Sequence, residues 1–402
     1  MCSALLCAEK ACEPPSVALL ARPRPGLSCS YTAWSAQGTV RRPKGNFYCA
    51  LYSGFQPDGR YQYAVSECFS GRRVAMNYFE QISFASDESI KNLLDSRRSA
   101  AMTESQKQIM FKRHVEIVNL ELSYNCNRKC DYCPVSFSNR QSLQRYMDTT
   151  TLEKICSELA AIRYENRISL NLYNEPLLDL DLERKITLIK QALPYTHIAF
   201  NSNGDFLDIA RLSTLSDSGL NNICVTLHPP SNVVQKPSAI HRRVTKLLDK
   251  LECGHKFPDF TVDTVLNSSS ILFSHRGVQI KIQWPDWRKY GTNRAGVLTE
   301  HAASSTIRTS PCVKPFREFT IFYDGTVQPC CESFLDDQTN LAPAGNLNDA
   351  SIFDVYASKT LSGFRRGLFD FGLKKGICAT CTVADFTTPE EDVERKRILQ
   401  SL

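Results

Sequence analysis

The sequence lacks several features that would assign its 402 residues to other protein classes. It has no run of 18 apolar residues, so it predicts no membrane-spanning helix. Its net charge of +6 is small and its basic residues are scattered, which argues against a nucleic-acid-binding surface. It has no internal repeat and no long low-complexity tract. We therefore expect a globular cytoplasmic protein of two or three domains, without nucleic acid or membrane as a partner.

A secretory signal is also missing from the first 22 residues, because charged residues and two prolines interrupt any apolar core. This matters for the 17 cysteines, which are many for a chain of this length. A disulfide scaffold is typical of short secreted chains. Clustered cysteines in a reducing compartment indicate metal binding instead. A targeting peptide remains an alternative for the N-terminal arm, residues 1–45, which we expect to be loosely ordered.

Three cysteines, Cys126, Cys130 and Cys133, follow a predicted strand at the spacing C-x3-C-x2-C. Thiolates this close can hold three irons of a cubane iron–sulfur cluster, which normally takes four cysteine ligands. The next cysteine, Cys156, falls inside a predicted helix. The pattern therefore predicts a cluster with one iron left open for a ligand that is not protein.

Residues 112–296 alternate short apolar strands with amphipathic helices, which predicts a parallel sheet with helical crossovers. Ligands on such sheets bind at the carboxyl ends of the strands, so the cysteine loop lies on the functional rim. Thr150 and Glu153 predict a capping box for the first helix. The predicted strands are 115–123, 167–173, 197–201, 222–228, 260–266 and 278–283, and the predicted helices are 150–163, 181–193, 207–218 and 238–252.

Two further units flank this segment. Residues 46–111 predict a small β-rich unit, with strands at 47–52, 61–65 and 74–84, followed by a helical connector. In residues 297–402, Asp324-Gly325 predicts a hairpin of 319–323 with 326–329. Helices are expected at 351–366 and 390–402. Residues 284–296 follow the last predicted strand and precede the hairpin. They resemble a bridge between two domains, which implies that Asp286 and Arg294 either hold a polar substrate or form an interdomain salt bridge.

The motif C-x3-C-x-aromatic-C closely resembles that of the radical S-adenosylmethionine (SAM) superfamily. The segment 173–176, Tyr-Asn-Glu-Pro, resembles the family's Gly-Gly-Glu-Pro segment, with Asn174 where glycine is common. Segments 201–204 and 226–230 resemble later contact points for SAM. The resemblance implies a partial (β/α)6 TIM-like barrel within an α/β fold. It also implies SAM contacts at Tyr132, Tyr173, Asn174, Glu175, Pro176, Ser202, Asn203, Thr226 and His228.

The C-terminal region, 297–402, resembles the SPASM or "twitch" domain, which holds an auxiliary cluster. Four of its five cysteines would ligate one auxiliary [4Fe–4S] cluster, and zinc is the physical alternative for the same thiolates. Adjacent cysteines on a strand face opposite ways, so only one of Cys330 and Cys331 should ligate, and we favour Cys330. The implied ligands are Cys312, Cys330, Cys378 and Cys381.

The resemblance implies an oxidoreductase that reductively cleaves SAM to a 5′-deoxyadenosyl radical and abstracts a hydrogen atom from its substrate. An external donor such as flavodoxin or ferredoxin would supply the electron. We favour a polar small-molecule substrate, a sugar or aminocyclitol, with electron transfer to the auxiliary cluster. The alternatives are a maturase of ribosomal peptides, a redox-neutral epimerase using Cys224 or Cys253 as hydrogen donor, and a non-catalytic iron–sulfur or zinc protein.

Overall fold

The computed structural model describes residues 49–55, 61–66, 88–229, 236–257, 270–285, 292–298, 307–334, 343–383 and 389–402. The predicted arm, residues 1–45, the predicted turn at 57–59 and the predicted strands at 74–84 and 260–266 lie outside these ranges. So does Asp286. Within the described residues, Cys49–Phe55 (β1) and Tyr61–Ser66 (β2) pair as an antiparallel hairpin.

A nine-stranded sheet organises the rest of the described residues. Its strand order is β11-β10-β9-β3-β4-β5-β6-β8-β7, and β9, β3, β4, β5, β6 and β8 run parallel. The sheet strands are Ile117–Leu120 (β3), Arg167–Ser169 (β4), His197–Ser202 (β5), Asn222–Thr226 (β6), Ser270–His275 (β7), Val278–Gln283 (β8), Glu318–Ile321 (β9), Thr326–Gln328 (β10) and Gly345–Asn346 (β11).

Helices connect the parallel strands, and others come before and after them. The helices are Glu88–Leu94 (α1), Ser96–Ala100 (α2), Glu104–His114 (α3), Thr149–Ala161 (α4), Leu182–Ala192 (α5), Ile209–Asp217 (α6), Pro237–Lys250 (α7), Lys314–Arg317 (α8), Ile352–Tyr356 (α9), Lys359–Leu368 (α10) and Pro389–Gln400 (α11). The α/β fold with a parallel sheet, predicted from sequence, is confirmed.

The capping-box prediction for α4 is wrong. The helix begins one residue earlier, at Thr149, with Asp148 as the N-cap and no side-chain cap hydrogen bond. Thr150 is therefore already inside the first turn. The sequence pattern places the N-cap at Thr150, two positions after the N-cap of the helix, Asp148.

The predicted hairpin around Asp324-Gly325 forms, with Val327 opposite Ile321 and Gly325 at a φ of 81°. Its first strand, β9, also pairs in parallel with β3, so that Asn119 lies opposite Thr320. The sheet thus runs across the predicted boundary between residues 296 and 297. That division of the chain, together with the boundaries at 45 and 111, stays a prediction.

One aromatic cluster joins the helices before the sheet to those after it. The buried Phe111 of α3 makes edge-to-face contacts with Tyr164, Phe319, Phe353 and Tyr356, with ring centroids 5.2–6.3 Å apart. Such pairs stabilise a core beyond the apolar area that they bury. The contacts fix β9 and α9 against the same helix.

Candidate active site

Two cavities contain the predicted cluster cysteines. The larger, of about 850 Å³, lies at the carboxyl ends of the parallel strands and is lined by Cys126, Cys130 and Cys133. The smaller, of about 370 Å³, is lined by the four predicted auxiliary ligands, Cys312, Cys330, Cys378 and Cys381. Each predicted set of thiols is therefore brought together around its own cavity.

The loop that carries the first three cysteines is closed by a buried ion pair. Arg140 Nη1 donates to Glu121 Oε1 at 2.7 Å, and both side chains are fully buried. Glu121 comes directly after β3, and its Oε1 also accepts from the backbone N–H of Tyr173 at 3.1 Å. The guanidinium lies 4.2 Å from the ring centre of Tyr124. These contacts tie the two ends of the cysteine loop to each other and to the end of β4.

Hydrogen bonds within the loop set the spacing of its thiols. The N–H of Cys133 donates to the carbonyl of Cys130 at 2.9 Å, and Ser136 Oγ donates to the same carbonyl at 2.7 Å. Burial raises the pKa of the Cys126 thiol to about 12 and also raises the pKa values of Cys130 and Cys133. Iron binding at these thiols must therefore release protons.

Glu175 joins the ends of β4 and β5. Its Oε1 accepts from Ser202 Oγ at 2.7 Å and from the Leu177 N–H at 3.1 Å, while Oε2 accepts from the Asn203 N–H at 2.7 Å. Burial raises the pKa of this carboxyl, although these hydrogen bonds act against the rise. Asn203 Nδ2 in turn donates to Asn127 Oδ1 at 2.8 Å, which links the pair of strand ends to the cysteine loop.

Tyr132 and His228 also line the larger cavity, and they contact each other. The Tyr132 hydroxyl lies 2.6 Å from His228 Nδ1, and the two rings stack with centroids 5.8 Å apart. Burial lowers the pKa of His228 to about 3. The imidazole is therefore neutral near pH 7, and its Nδ1 can accept the hydroxyl hydrogen.

The structure brings together eight of the nine predicted SAM contacts. The exception is Pro176, which is buried at the start of a single 3-10 turn, Pro176–Leu178, and does not line the cavity. The cavity is lined by Tyr132, Tyr173, Asn174, Glu175, Ser202, Asn203, Thr226 and His228.

Sequence reasoning did not predict Asn171 and Gln283, which also line the larger cavity. Asn171 Oδ1 accepts from the Asn201 N–H at 2.7 Å, and Gln283 Nε2 donates to Thr226 Oγ1 at 3.0 Å. Gln283 is the last residue of β8, as Thr226 is of β6, and the two are register partners. Gln283 could have been predicted, because it is a polar residue at the carboxyl end of a predicted parallel strand, where ligands bind.

The smaller cavity separates the two adjacent cysteines. Cys330 lines it and lies 3.6 Å from Ser333 Oγ, whereas Cys331 does not line it and has its sulfur 3.3 Å from Lys314 Nζ. Burial raises the pKa values of Cys330 and Cys378 to about 12 and about 11. In the described part of the chain, no three His, Cys, Asp or Glu side chains converge on a point that could hold a metal ion. Thiols spread over the walls of a cavity suit a cluster of several irons, since its ligands do not share one atom.

One ion pair stands between the two cavities. Arg294 lines the larger cavity and Glu332 lines the smaller one, with 3.2 Å between Arg294 Nη1 and Glu332 Oε2. Thr292 Oγ1 donates to the same carboxylate oxygen at 2.6 Å. The Tyr173 hydroxyl donates to the backbone carbonyl of Glu332 at 3.0 Å. Arg294 therefore forms a salt bridge and also lines the larger cavity, so its position is compatible with both roles considered from the sequence.

Two family models match the chain. The first describes the Radical SAM superfamily and matches residues 120–265. The second, SPASM, describes an iron–sulfur cluster-binding domain and matches residues 312–382. These ranges contain the two sets of cysteines that line the cavities.

The chain contains a radical SAM superfamily domain. It also contains a SPASM domain. It is thus an enzyme that uses SAM and a [4Fe–4S] cluster, and its SPASM domain binds auxiliary iron–sulfur clusters.

The chain of this radical SAM enzyme is similar to several characterised proteins. It is 25% identical over 276 residues to the S-adenosyl-L-methionine-dependent 2-deoxy-scyllo-inosamine dehydrogenase of Niallia circulans. The match covers 68% of this chain and 96% of the relative. Among solved structures, BtrN in complex with AdoMet and 2-DOIA is 24% identical with a TM-score of 0.49, covering 69% of this chain and 96% of that one. SuiB of Streptococcus suis bound to precursor peptide SuiA is 12% identical with a TM-score of 0.39, covering 78% and 76%.

No described helix of this radical SAM enzyme has both the length and the apolar character needed to cross a bilayer.

Proposed function

We propose that this chain is a radical SAM dehydrogenase that oxidises a hydroxyl-bearing small molecule. Cys126, Cys130 and Cys133 would hold the [4Fe–4S] cluster whose fourth iron takes SAM, with the eight polar and aromatic residues of the larger cavity around it. Cys312, Cys330, Cys378 and Cys381 would hold one auxiliary [4Fe–4S] cluster.

The ion pair of Arg294 with Glu332, between the two cavities, is the observation that carries this proposal. A substrate in the larger cavity would lie one residue pair away from the auxiliary cluster. SAM, when bound and reduced by one electron, would supply the acceptor for a hydrogen atom. Loss of a C–H hydrogen atom, a hydroxyl proton and one electron converts a secondary alcohol to a ketone. The auxiliary cluster would accept that electron and pass it to an external one-electron carrier.

The chain's own residues would position the reactants. Glu175 fixes Ser202 and Asn203, and so shapes the wall where SAM would lie. Arg294 would hold a substrate hydroxyl on the side nearest the auxiliary cavity. The relative from Niallia circulans is a dehydrogenase named for an aminocyclitol, and this supports a ring polyol as the substrate class.

Anaerobic reconstitution with iron and sulfide, followed by SAM and a strong reductant, tests the proposal. We expect about eight irons per chain, as two four-iron clusters require, and formation of 5′-deoxyadenosine. Replacing Cys126, Cys130 and Cys133 by alanine should abolish that product, whereas the matched variant Cys253→Ala, outside both cavities, should retain it. Product formation by the triple variant would refute the site assignment.

A deuterated polyol tests the reaction class. Deuterium should appear in 5′-deoxyadenosine, and one ketone should form for each 5′-deoxyadenosine. An isomerised alcohol in place of the ketone would show a redox-neutral enzyme and overturn the dehydrogenase assignment.

A further inference from the structure

One arginine of the C-terminal domain is buried at the wall of the smaller cavity. Arg308 lines this cavity and is only 7% exposed. Its Nη1 donates to the sulfur of Cys381 across 3.7 Å. Cys381 is one of the four thiols assigned to the auxiliary cluster. A guanidinium therefore contacts an assigned ligand sulfur from the cavity wall.

Backbone contacts fix the place of this guanidinium. Arg308 Nε donates to the carbonyl of Ser310 at 3.0 Å, and Nη2 donates to the carbonyl of Pro311. The backbone N–H of Arg308 donates to the carbonyl of Ala379 at 2.7 Å, and its carbonyl accepts from the N–H of Lys374 at 3.0 Å. Two nitrogens of the guanidinium are thus held by carbonyls of the adjoining chain, and the third is directed at the thiol.

The charge of Arg308 also acts on a second assigned ligand. Burial raises the pKa of the Cys378 thiol to about 11, and the neighbouring Cys381 adds to the rise, whereas the positive charges of Arg308 and Lys374 act against it. Lys374 is itself buried, with its ammonium against two backbone carbonyls. The thiol pair of residues 378 and 381 therefore lies in a positively charged part of the wall.

Two other charged residues, Lys314 and Glu332, are among the described residues that line the smaller cavity. Lys314 Nζ lies 3.1 Å from Glu318 Oε1, and Glu332 pairs with Arg294. An opposite charge beside each of them weakens its field across the cavity. Arg308 differs from both because its side chain donates directly to an assigned ligand sulfur.

Each electron added to an iron–sulfur cluster makes the cluster more negative by one charge. Its reduction potential depends on the net charge nearby and on hydrogen bonds to its sulfurs. A guanidinium is always charged in proteins, so it lowers the free energy of the reduced form more than that of the oxidised form. Burial strengthens this effect, because less water is present to screen the charge. A fixed arginine at a ligand sulfur therefore raises the potential.

We propose that Arg308 is a positioning residue that raises the reduction potential of the auxiliary cluster through its contact with the sulfur of Cys381. It makes that cluster a better acceptor for the one electron that oxidation of the substrate releases, before the external one-electron carrier removes it. This inference rests on the proposed function, which assigns the cluster to these thiols and gives it the acceptor role.

A redox titration of the reconstituted holoenzyme, without substrate or turnover, measures this potential. Electron paramagnetic resonance follows the reduced clusters, and the variant that lacks Cys126, Cys130 and Cys133 identifies the auxiliary signal. We expect Arg308→Met to lower the ratio of reduced to oxidised auxiliary cluster at least about tenfold at the midpoint potential of the parent, which for a one-electron couple is a shift of about 59 mV.

Two further variants are matched to this one. Arg308→Lys keeps the positive charge and should change the ratio by less than about threefold. Arg366→Met removes an exposed arginine of α10 that lies between the lining residues Phe364 and Leu368 in the sequence. Its charge is screened by solvent, so the ratio should stay that of the parent. Equal shifts in Arg308→Met and Arg366→Met would refute the inference.

Iron content and melting curves separate a tuning role from a structural one. A variant that keeps about eight irons and a ratio within about threefold of the parent contradicts the inference. If Arg308→Met falls to about four irons, Arg308→Gln, which keeps an N–H donor and removes the charge, is titrated with the same expected direction. Loss of the auxiliary cluster in both variants would show that Arg308 holds the cluster in place and would reject the tuning role.

The same measurements distinguish failure of this inference from failure of the proposed function. A parent chain with only about four irons rejects the auxiliary ligands of the proposed function, and this inference with them. An intact auxiliary cluster whose potential does not respond to Arg308 rejects this inference alone. The expected shift in potential, together with no ketone from the polyol, supports the role of Arg308 and rejects the dehydrogenase.

Discussion

At the scale of single residues, Cys330 and Cys331 are neighbours in the chain with unlike surroundings. Cys330 lines the smaller cavity with three other thiols, and Cys331 has its sulfur against the ammonium of Lys314. We expect Cys330→Ser to lose the auxiliary cluster, so that iron falls from about eight to about four per chain. Cys331→Ser should keep about eight. Iron analysis with electron paramagnetic resonance distinguishes the two, and the reverse result would make Cys331 the ligand.

His228 gives a second residue-scale prediction. Its folded-state pKa, lowered to about 3 by burial, lies below the value of about 6.5 for an unfolded histidine. As the pH falls below about 6, the unfolded chain gains a proton that the folded chain does not. The free energy of unfolding should therefore decrease with falling pH, with a contribution from His228 of about 1.4 kcal/mol per pH unit.

Urea unfolding of the wild type and of His228→Gln at pH 7.5, 6.0 and 5.5 measures this contribution. The variant should lose less stability toward acid. His241→Gln, on an exposed position of α7, should keep the slope of the wild type. Identical slopes for the His228 variant and the wild type would show that the ring is not held neutral.

At the scale of elements, the cysteine loop depends on the ion pair of Glu121 and Arg140. Removing one partner leaves a buried charge without compensation, which costs about 3–5 kcal/mol. We expect Arg140→Met to lose about that much stability and to bind less iron at the larger cavity. The double variant Arg140→Met with Glu121→Gln should recover part of the loss, because no buried charge is left.

The exposed pair of Arg184 and Asp181 is the matched control for this experiment. Asp181→Asn should change the free energy of unfolding by less than about 1 kcal/mol, as surface ion pairs do. Equal losses at the two pairs would mean that burial does not govern the loop.

The elements themselves were largely predictable. Short apolar strands and amphipathic helices predicted β3 to β6, β8 and α4 to α7 with bounds close to those observed, because each pattern is local. The pairing of β9 with β3 was not predictable. The Asp-Gly turn predicts that β9 pairs with β10, which follows it in the sequence, and says nothing about a second neighbour. The thiols were found because their spacing is itself a local pattern. Glu121, Arg140 and Gln283 were missed because their partners are distant in sequence or on another strand.

At the scale of the whole molecule, β9 makes the C-terminal segment part of the barrel sheet. A chain that ends at residue 296 leaves one edge of β3 unpaired and removes the buried Phe316, Phe319 and Ile321 from the core. We expect such a chain to aggregate, because an unpaired hydrophobic edge recruits other chains. Co-expression of residues 297–402 as a second chain should restore part of its solubility. A soluble, cooperatively folding 1–296 fragment would show that the barrel is independent.

The same pairing has a consequence for synthesis. The chain is synthesised from its N-terminus, so β3 to β8 leave the ribosome before β9, Glu318–Ile321. The edge of β3 that β9 covers stays open during that interval, beside the loop whose thiols await iron. We therefore expect iron to be inserted at the SAM half only after the auxiliary half has been translated and β9 has covered the edge of β3.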